Sequence, residues 1–527
     1  MNAFKQYSVI FFIFFFFFFF SFNLIAQDGT INPYYFITSP PSPVGSGARA
    51  MGVGGAFIAV ADDATSASWN PGALIQLELP EATMVYTYDA RQIEGDNVDF
   101  YDVNYLSVSY PFTVKGTNMI FSFNYQRLYD FYARGEGQAG KFTVSDLAGT
   151  WFVGGSGVPN SVNQYDVISL TGMKTEYGFN LENYQRGEVG AIAPAFAIQI
   201  APEFSLGFTF NFWRDGWLDK DKRYLQEYEE QGDGELFQES GLWWDVDGNC
   251  TCSQDGDPAC TSGEYIDDPS CLDELIDPAL LGRPNPESRQ ADLHWKFSSR
   301  QRIRMEGENF NIGILWDLTG RWTLGVVFRS GFKMRVKRTY SVEQTQSSNT
   351  EPSLNFSAQG KEEYTEAIYF PSSQGIGVGY RYSDALSFTA DLTQVRWDEY
   401  YYELANETKY SPVTGLKKGI DDVDPTLTFR AGGEYLFIRP RYVVPIRAGF
   451  FYDQQPARKH PDDFWGITIG SGFVYKWLVF DLTYYYRWGR DVLLNSVASA
   501  DHTELISEEK GDIDQHMVMM SFIFHFE

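Results

Sequence analysis

From residue 83 to its end the chain repeats one pattern in fourteen segments, each alternating apolar and polar residues with a period of two. That period belongs to strands and not to helices. In Thr323 to Lys337, one face carries Leu324, Val326, Phe328, Phe332, Met334 and Val336. The other carries Thr323, Gly325, Arg329, Gly331, Lys333, Arg335 and Lys337. Leu478 to Trp488 sets Leu478, Phe480, Leu482, Tyr484, Tyr486 and Trp488 against Val479, Asp481, Thr483, Tyr485 and Arg487. The last segment sets Val518, Met520, Phe522, Phe524 and Phe526 against Met517, Met519, Ser521, Ile523 and His525. The first face suits lipid and the second a wet lumen.

The start of the chain fixes the compartment. Lys5, an apolar core from Val9 to Phe20 rich in phenylalanine, and Leu24-Ile25-Ala26 have the layout of a secretory signal over 1–26, with Gln27 as the expected mature start. No comparable apolar run follows, so the choice lies between a soluble secreted protein and a membrane β-barrel. The 33 Tyr, 44 Phe and 13 Trp, in a chain of negative mean hydropathy, select the barrel. The net charge of −28 lies largely in the polar connections and argues against nucleic acid as a partner.

Connections alternate in length. Short turns are expected at Pro111 to Thr117, Ala201 to Ser205, Asp317 to Trp322, Arg381 to Ala385, Ile438 to Val443 and Tyr475 to Trp477. Longer polar segments fall near 91–100, 131–187, 214–300, 339–360, 401–423, 454–463 and 490–512. Short periplasmic turns and long outer loops describe an even-stranded outer-membrane barrel. The expected fold is therefore an all-β, 14-stranded antiparallel transmembrane barrel over 83–527, preceded by an N-terminal extension and plug over 27–82. The strand-like pieces in Asn163 to Gln185 are assigned to the second long loop, which preserves the parity. The loop at 214–300 is long enough to fold on itself, as a cap or a recognition element.

Gly45 to Leu74 lies between the export signal and the first strand. Five glycines (Gly45, Gly47, Gly52, Gly54, Gly55) allow close backbone packing, and Phe57, Ile58, Val60 and Ala61 suit an enclosed space. Asp62, Asp63 and Thr65 read as a helix start and Asn70-Pro71-Gly72 as its stop. The segment reads as a plug inside the barrel.

Chemistry-bearing constellations are few. Cys250, Cys252, Cys260 and Cys271 share one acidic segment of an exported chain, so two disulfides are expected. The pairings 250–260 with 252–271, or 250–271 with 252–260, stay open. The five histidines have no metal-ligand spacing. Asp245-Val246-Asp247-Gly248-Asn249 resembles the opening of a calcium loop, but the Glu of a twelfth position is missing, and a solvated acidic turn is the better reading. No GxSxG elbow occurs, and the glycines near residue 52 do not have GxGxxG spacing. No metal site, cofactor or enzyme activity is expected. Arg329, Lys333, Arg335, Arg430 and Arg447 are expected to point into the lumen, with Asp391, Glu434, Asp453 and Asp481 as partners. They either pair with these acids or hold an anionic head group.

These features together resemble the FadL-type outer-membrane transporters of long-chain fatty acids and other hydrophobic compounds. The resemblance is densest at Gly47-Ala48-Arg49-Ala50-Met51-Gly52, at Gly55 to Ala64, at Trp69-Asn70-Pro71 and at Arg447 to Pro456. It implies a bacterial outer-membrane location, a hatch folded into the barrel, and passive, hatch-gated passage of a hydrophobic small molecule. The hatch or gate residues it points to are Arg49, Gly52, Gly55, Asp62, Asp63, Asn70, Pro71 and Gly72. Gly72-Ala73 stands where the family has Ala-Gly. Implied partners are outer-membrane lipid and, during insertion, the barrel-assembly machinery. The family breaks a wall strand to let substrate leave sideways, yet Asn118 to Phe131, the third strand, holds neither Gly nor Pro. A docking barrel of the type IX secretion machinery, holding a secreted protein at the surface, is the alternative.

Overall fold

The computed structural model describes residues 45–93, 96–130, 133–144, 149–152, 167–170, 175–186, 188–218, 225–238, 289–350, 352, 355–420, 423–499 and 502–526. The signal segment, the four cysteines and the 245–249 acidic run lie outside them.

Fourteen antiparallel strands form the barrel. They are β1 (Glu81–Ile93), β2 (Asp96–Val114), β3 (Thr117–Asp130), β4 (Glu188–Ala201), β5 (Phe204–Asp215), β6 (Arg289–Asp317) and β7 (Trp322–Arg329), followed by β8 (Ser373–Arg381), β9 (Leu386–Val395), β10 (Thr426–Ile438), β11 (Val443–Gln455), β12 (Asp462–Tyr475), β13 (Leu478–Ala498) and β14 (Leu505–His525). Each pairs with the strand before it, and β14 returns to β1 from Glu81↔His525 to Ile93↔Ile513. The wall is closed, so no strand presents an unpaired edge to lipid.

The tight end follows local chemistry. Lys115-Gly116, both at positive φ (53° and 85°), form a two-residue turn whose twist matches the flanking strands. Trp316, Trp322, Tyr382, Tyr442, Tyr475 and Trp477 stand exposed beside these short turns, as an aromatic girdle does at a membrane interface. Above them Phe121, Phe208, Phe328, Phe429 and Ile467 face outward.

Much of what reads as long outer loop is strand. Arg91 to Ile93 and Asp96 to Phe100 are paired strand, Arg91↔Val98 among their contacts. The segments at 339–360, 454–463 and 490–512 likewise carry ladder at both ends. Above the membrane, strands keep their hydrogen bonds but lose the apolar face that reveals them in sequence. β6 is the extreme case at 29 residues, well beyond the roughly 10 that a tilted strand needs to cross a bilayer. Its lower half pairs with β5 and β7. Its upper half pairs with Leu225–Gln238 and Phe332–Ser347 in a sheet that also takes in Thr175–Arg186 and Phe356–Phe370. Thr175–Arg186 joins this outer sheet and not the barrel, so the count of fourteen stands.

One expectation about faces is corrected here. The alternation over Thr323 to Lys337 breaks at Ser330-Gly331, between β7 and Phe332–Ser347. Below the break Gly325 and Arg329 face inward. Above it Met334 and Val336 are buried with Val189, Ala191 and Trp213, so the inward parity has switched. Lys333 and Arg335 therefore lie on the outer surface, where Lys333 meets Glu403 (3.2 Å) and Arg335 meets Glu306 (3.0 Å). The chain turns at the break as it leaves the barrel wall for the outer sheet, and the later side chains face the opposite way.

β3 is unbroken. It pairs with β2 from Tyr105↔Gln126 to Val114↔Thr117 and with β4 from Met119↔Ile198 to Asp130↔Glu188. The β4–β5 ladder instead skips Ala193 and Pro194, running from Ile192↔Phe212 to Ala195↔Thr209, because proline has no N–H to contribute.

Candidate functional site: the hatch and the wall that holds it

Residues 45–80 fill the lumen. Helix α1 (Ala48–Gly52) lies against β11 to β14. Gly54 and Gly55, at φ 75° and 74°, then turn the chain back across the barrel. Helix α2 (Ser66–Trp69) follows, and the 3₁₀ turn Pro71–Gln76 packs on β3 to β6. Asp63 accepts from Thr65 N at 2.9 Å just ahead of α2. Asn70 ends α2 and starts the 3₁₀ turn, its side chain accepting from Gly72 N at 3.0 Å with Pro71 in the first position. Ala56, Phe57, Ile58, Ala61 and Trp69 are buried, and Phe57 meets Trp69 edge-on at 5.9 Å.

A segment with so little regular structure leaves backbone groups without partners, and each such buried group costs about 1–3 kcal/mol. Wall side chains supply the partners. Thr483 Oγ1 donates to Ala48 O (2.5 Å), Thr468 Oγ1 to Gly52 O (3.1 Å), Arg430 to Gly54 O (3.2 Å) and Thr389 Oγ1 to Ala56 O (2.9 Å). Asp391 accepts from Ile58 N (2.9 Å), and Arg329 donates to Trp69 O (2.8 Å) at the end of α2. Asn70 Nδ2 bridges Ile58 O (2.8 Å) within the hatch and Ile314 O (2.9 Å) in β6. Thr209 and Ser205 donate to Ala67 O (3.0 Å) and Gly72 O (2.8 Å).

The wall also makes room. A Cβ on Gly207 would stand 2.1 Å from Pro71 C, on Gly313 2.0 Å from Asn70 Oδ1 and on Gly325 2.4 Å from Ile58 O. On Gly432 it would stand 2.3 Å from Val53 O, and on Gly449 2.0 Å from Gly54 N. These five strands carry glycine where the hatch touches them, as do β8 at Gly375, Gly377 and Gly379 and β12 at Gly470. The hatch seats directly on wall backbone.

Charges tie the two parts together. Arg49 pairs with Asp62 inside the hatch and reaches Glu434 in β10 at 3.2 Å. Glu434 also takes Arg447 at 2.6 Å, and Arg447 takes Asp481 at 2.5 Å. Arg487 meets Asp453 at 3.2 Å. Of the expected acids, Glu434 and Asp481 pair with Arg447, while Asp453 meets Arg487 and Asp391 accepts from the hatch backbone; Arg329, Arg430 and Arg447 point inward while Lys333 and Arg335 do not. Below α2, burial first and then the Glu81 carboxylate push the Asp63 carboxyl up to about 7. Glu81 accepts from Ala64 N and faces His525 at 3.4 Å.

Two features lie beside the hatch. Arg329, Asp391, Thr393, Thr428 and Arg430 line a small cavity with Gly55, Ile58 and Trp69. Above it, an apolar cluster including Val189, Ala191, Trp213, Ile303, Met305, Phe370, Trp397 and Tyr402 occupies the barrel mouth. The wall threonines, serines and glycines that grip the hatch were not singled out in sequence. Their one signal is the recurrence of small and hydroxylic residues on the polar faces of successive strands. Among the described residues, no group of His, Cys, Asp or Glu is arranged to hold a metal.

A closed, lipid-facing barrel with an internal hatch defines an outer-membrane transport barrel. The family model for outer membrane protein transport proteins (OMPP1/FadL/TodX) matches residues 297–525. The expected resemblance is borne out over that part of the chain, and the fold is an outer-membrane β-barrel similar to those of FadL/TodX proteins. It is similar to a solved Pseudomonas aeruginosa FadL homologue, 15% identical over 93% of this chain and 99% of that one, with a TM-score of 0.50. It is 16% identical to the CymD monoaromatic hydrocarbon channel over 92% and 99%, at a TM-score of 0.46. No curated protein sequence matches. Identities this low speak for shared fold alone.

Proposed function

We propose that the protein is a passive, hatch-gated transporter of long-chain fatty acids or other hydrophobic small molecules. The observation that carries this reading is the seating of the hatch: wall glycines stand within van der Waals reach of its backbone, so passage requires the hatch to shift. An apolar cluster at the mouth gives a hydrophobic solute a landing place. Arg329 and Arg430, which border the small cavity, are the charged groups placed to meet an acidic head group. The named neighbours, a FadL homologue and a monoaromatic hydrocarbon channel, set the range of substrates to try.

The test is uptake of labelled long-chain fatty acid and of labelled toluene by cells lacking their own importer, with surface display confirmed. Uptake of either above the empty vector, lost when Asn70 to Gly72 are replaced, supports the reading. Full display with no uptake of either probe sinks it and favours the docking alternative.

A further inference from the structure

The hatch is not held evenly. Toward β7, β9, β10, β12, β13 and β14 it is fastened by ion pairs and hydrogen bonds, from Arg329, Asp391, Thr389, Arg430, Glu434, Thr468, Thr483 and Ser521, and toward β1 and β2 by Glu81 and Tyr105. Toward β5 and β6 it is fastened by Ser205, Thr209 and the Ile314 carbonyl. Toward the Val189 to Ala201 part of β4, among the described residues, no hydrogen bond or ion pair joins it to the wall. The 3₁₀ turn packs there through apolar contact alone, with Leu74 and Leu77 against Ala195 and Ala197.

β4 differs from its neighbours in the face it turns inward. Val189, Ala191, Ala193, Ala195 and Ala197 are all buried and all apolar. β5 turns Ser205, Thr209 and Asn211 to the lumen, and β3 turns Ser122 and Asn124. At its upper end the β4 face enters the mouth cluster through Val189 and Ala191. At its lower end it enters the hatch cluster through Ala195 and Ala197. One strand therefore joins the apolar mouth to the underside of the hatch without a polar side chain, and its small side chains leave width once Leu74 and Leu77 move.

We propose that an apolar solute passes the hatch along β4, in the seam between Ala193, Ala195 and Ala197 on the wall and Leu74 and Leu77 on the hatch. Parting the two surfaces there breaks only dispersion contacts, which the solute itself replaces. On the strands that carry the ties named above it strips buried charges and carbonyls of their partners. The inference rests on the transport reading above and assigns its path.

The experiment uses full-length protein in liposomes, with labelled toluene and labelled oleate as probes. Ala195→Asp should cut uptake by about tenfold or more, because a carboxylate in the seam must be desolvated as the solute goes by. Ala195→Cys should retain uptake and then lose it on modification with a benzyl methanethiosulfonate, and either probe should slow that modification. Heat-modifiable gel mobility shows that each variant is folded, and the cysteine variant keeps the test open should the aspartate variant misfold. Normal wild-type uptake, unchanged in the aspartate variant and in the modified cysteine variant, overturns the path and leaves the transport reading standing. Wild-type liposomes that take up neither probe sink the transport reading, and the path falls with it.

Discussion

Arg49 of the hatch and Glu434 of β10 meet at 3.2 Å, though 385 residues separate them in sequence. The same carboxylate takes Arg447 at 2.6 Å, so one wall acid holds one cation from the plug and one from the barrel. Removing a single partner from a buried pair leaves an uncompensated charge, at about 3–5 kcal/mol. Glu434→Ala leaves the almost fully buried Arg447 with Asp481 as its one remaining carboxylate and releases Arg49, which is a quarter exposed, from the wall. The variant should therefore show a lower thermal midpoint and faster proteolysis within residues 45–80. Replacing Arg49 alone should cost less, since it is the more solvated partner. Equal proteolysis of the Glu434 variant and wild type would show that the pair does not hold the hatch.

The glycine contacts give a prediction with an internal control. Gly449→Ala places a methyl 2.0 Å from Gly54 N, and neither backbone can move without disturbing its ladder or the hatch turn. Overpacking of this kind costs about 1–3 kcal/mol. Gly360→Ala adds a methyl where nothing lies within 4 Å, at a φ that any residue tolerates. Thermal unfolding should separate the two. Equal midpoints would mean the hatch does not rest on β11.

The barrel was legible because lipid imposes a period of two on every crossing. Leu478 to Trp488 and the terminal segment announce their faces directly. The same rule failed where lipid ends. Arg91 to Ile93 and Asp96 to Phe100 pair as strand with no apolar face to show it, and the switch at Ser330-Gly331 puts Lys333 and Arg335 outside. The hatch was legible at Asn70-Pro71-Gly72, where capping chemistry is local. Its grip on the wall was not, since Thr483 and Ala48, or Gly207 and Pro71, are joined only by the fold.

Hatch retention should depend on pH through Asp63. Docked, this carboxyl is raised from 3.8 to about 7, by burial first and then by Glu81 and Asp62, with Arg49 and Thr65 opposing. A raised carboxyl holds its proton more tightly when docked than when released. Its contribution to docking is therefore fully present below pH 3.8 and is lost as pH rises through about 7. Proteolysis of the hatch should accelerate from pH 5 to pH 8 in wild type. Asp63→Asn, which cannot titrate, should flatten the profile. A variant as pH-dependent as the parent would assign the effect to another group, with His525 opposite Glu81 the next to replace.

Asn70 tests whether the hatch moves as a body. Its amide donates to Ile58 O within the hatch and to Ile314 O in the wall, and its carbonyl oxygen accepts from Gly72 N. Asn70→Ala leaves these three groups without their partner in a fully buried site, at about 1–3 kcal/mol each before relaxation. Asn70→Asp keeps the shape and the Gly72 contact but sets an anion against two carbonyl oxygens, so it should be at least as damaging. If the Ile314 link is what keeps the 3₁₀ turn closed on β6, both variants should leak a small hydrophilic dye from liposomes while keeping the folded, heat-modifiable barrel. A tight barrel in both variants would show that the hatch stays seated without this residue, and the fastening would then lie with Arg329 on Trp69 O.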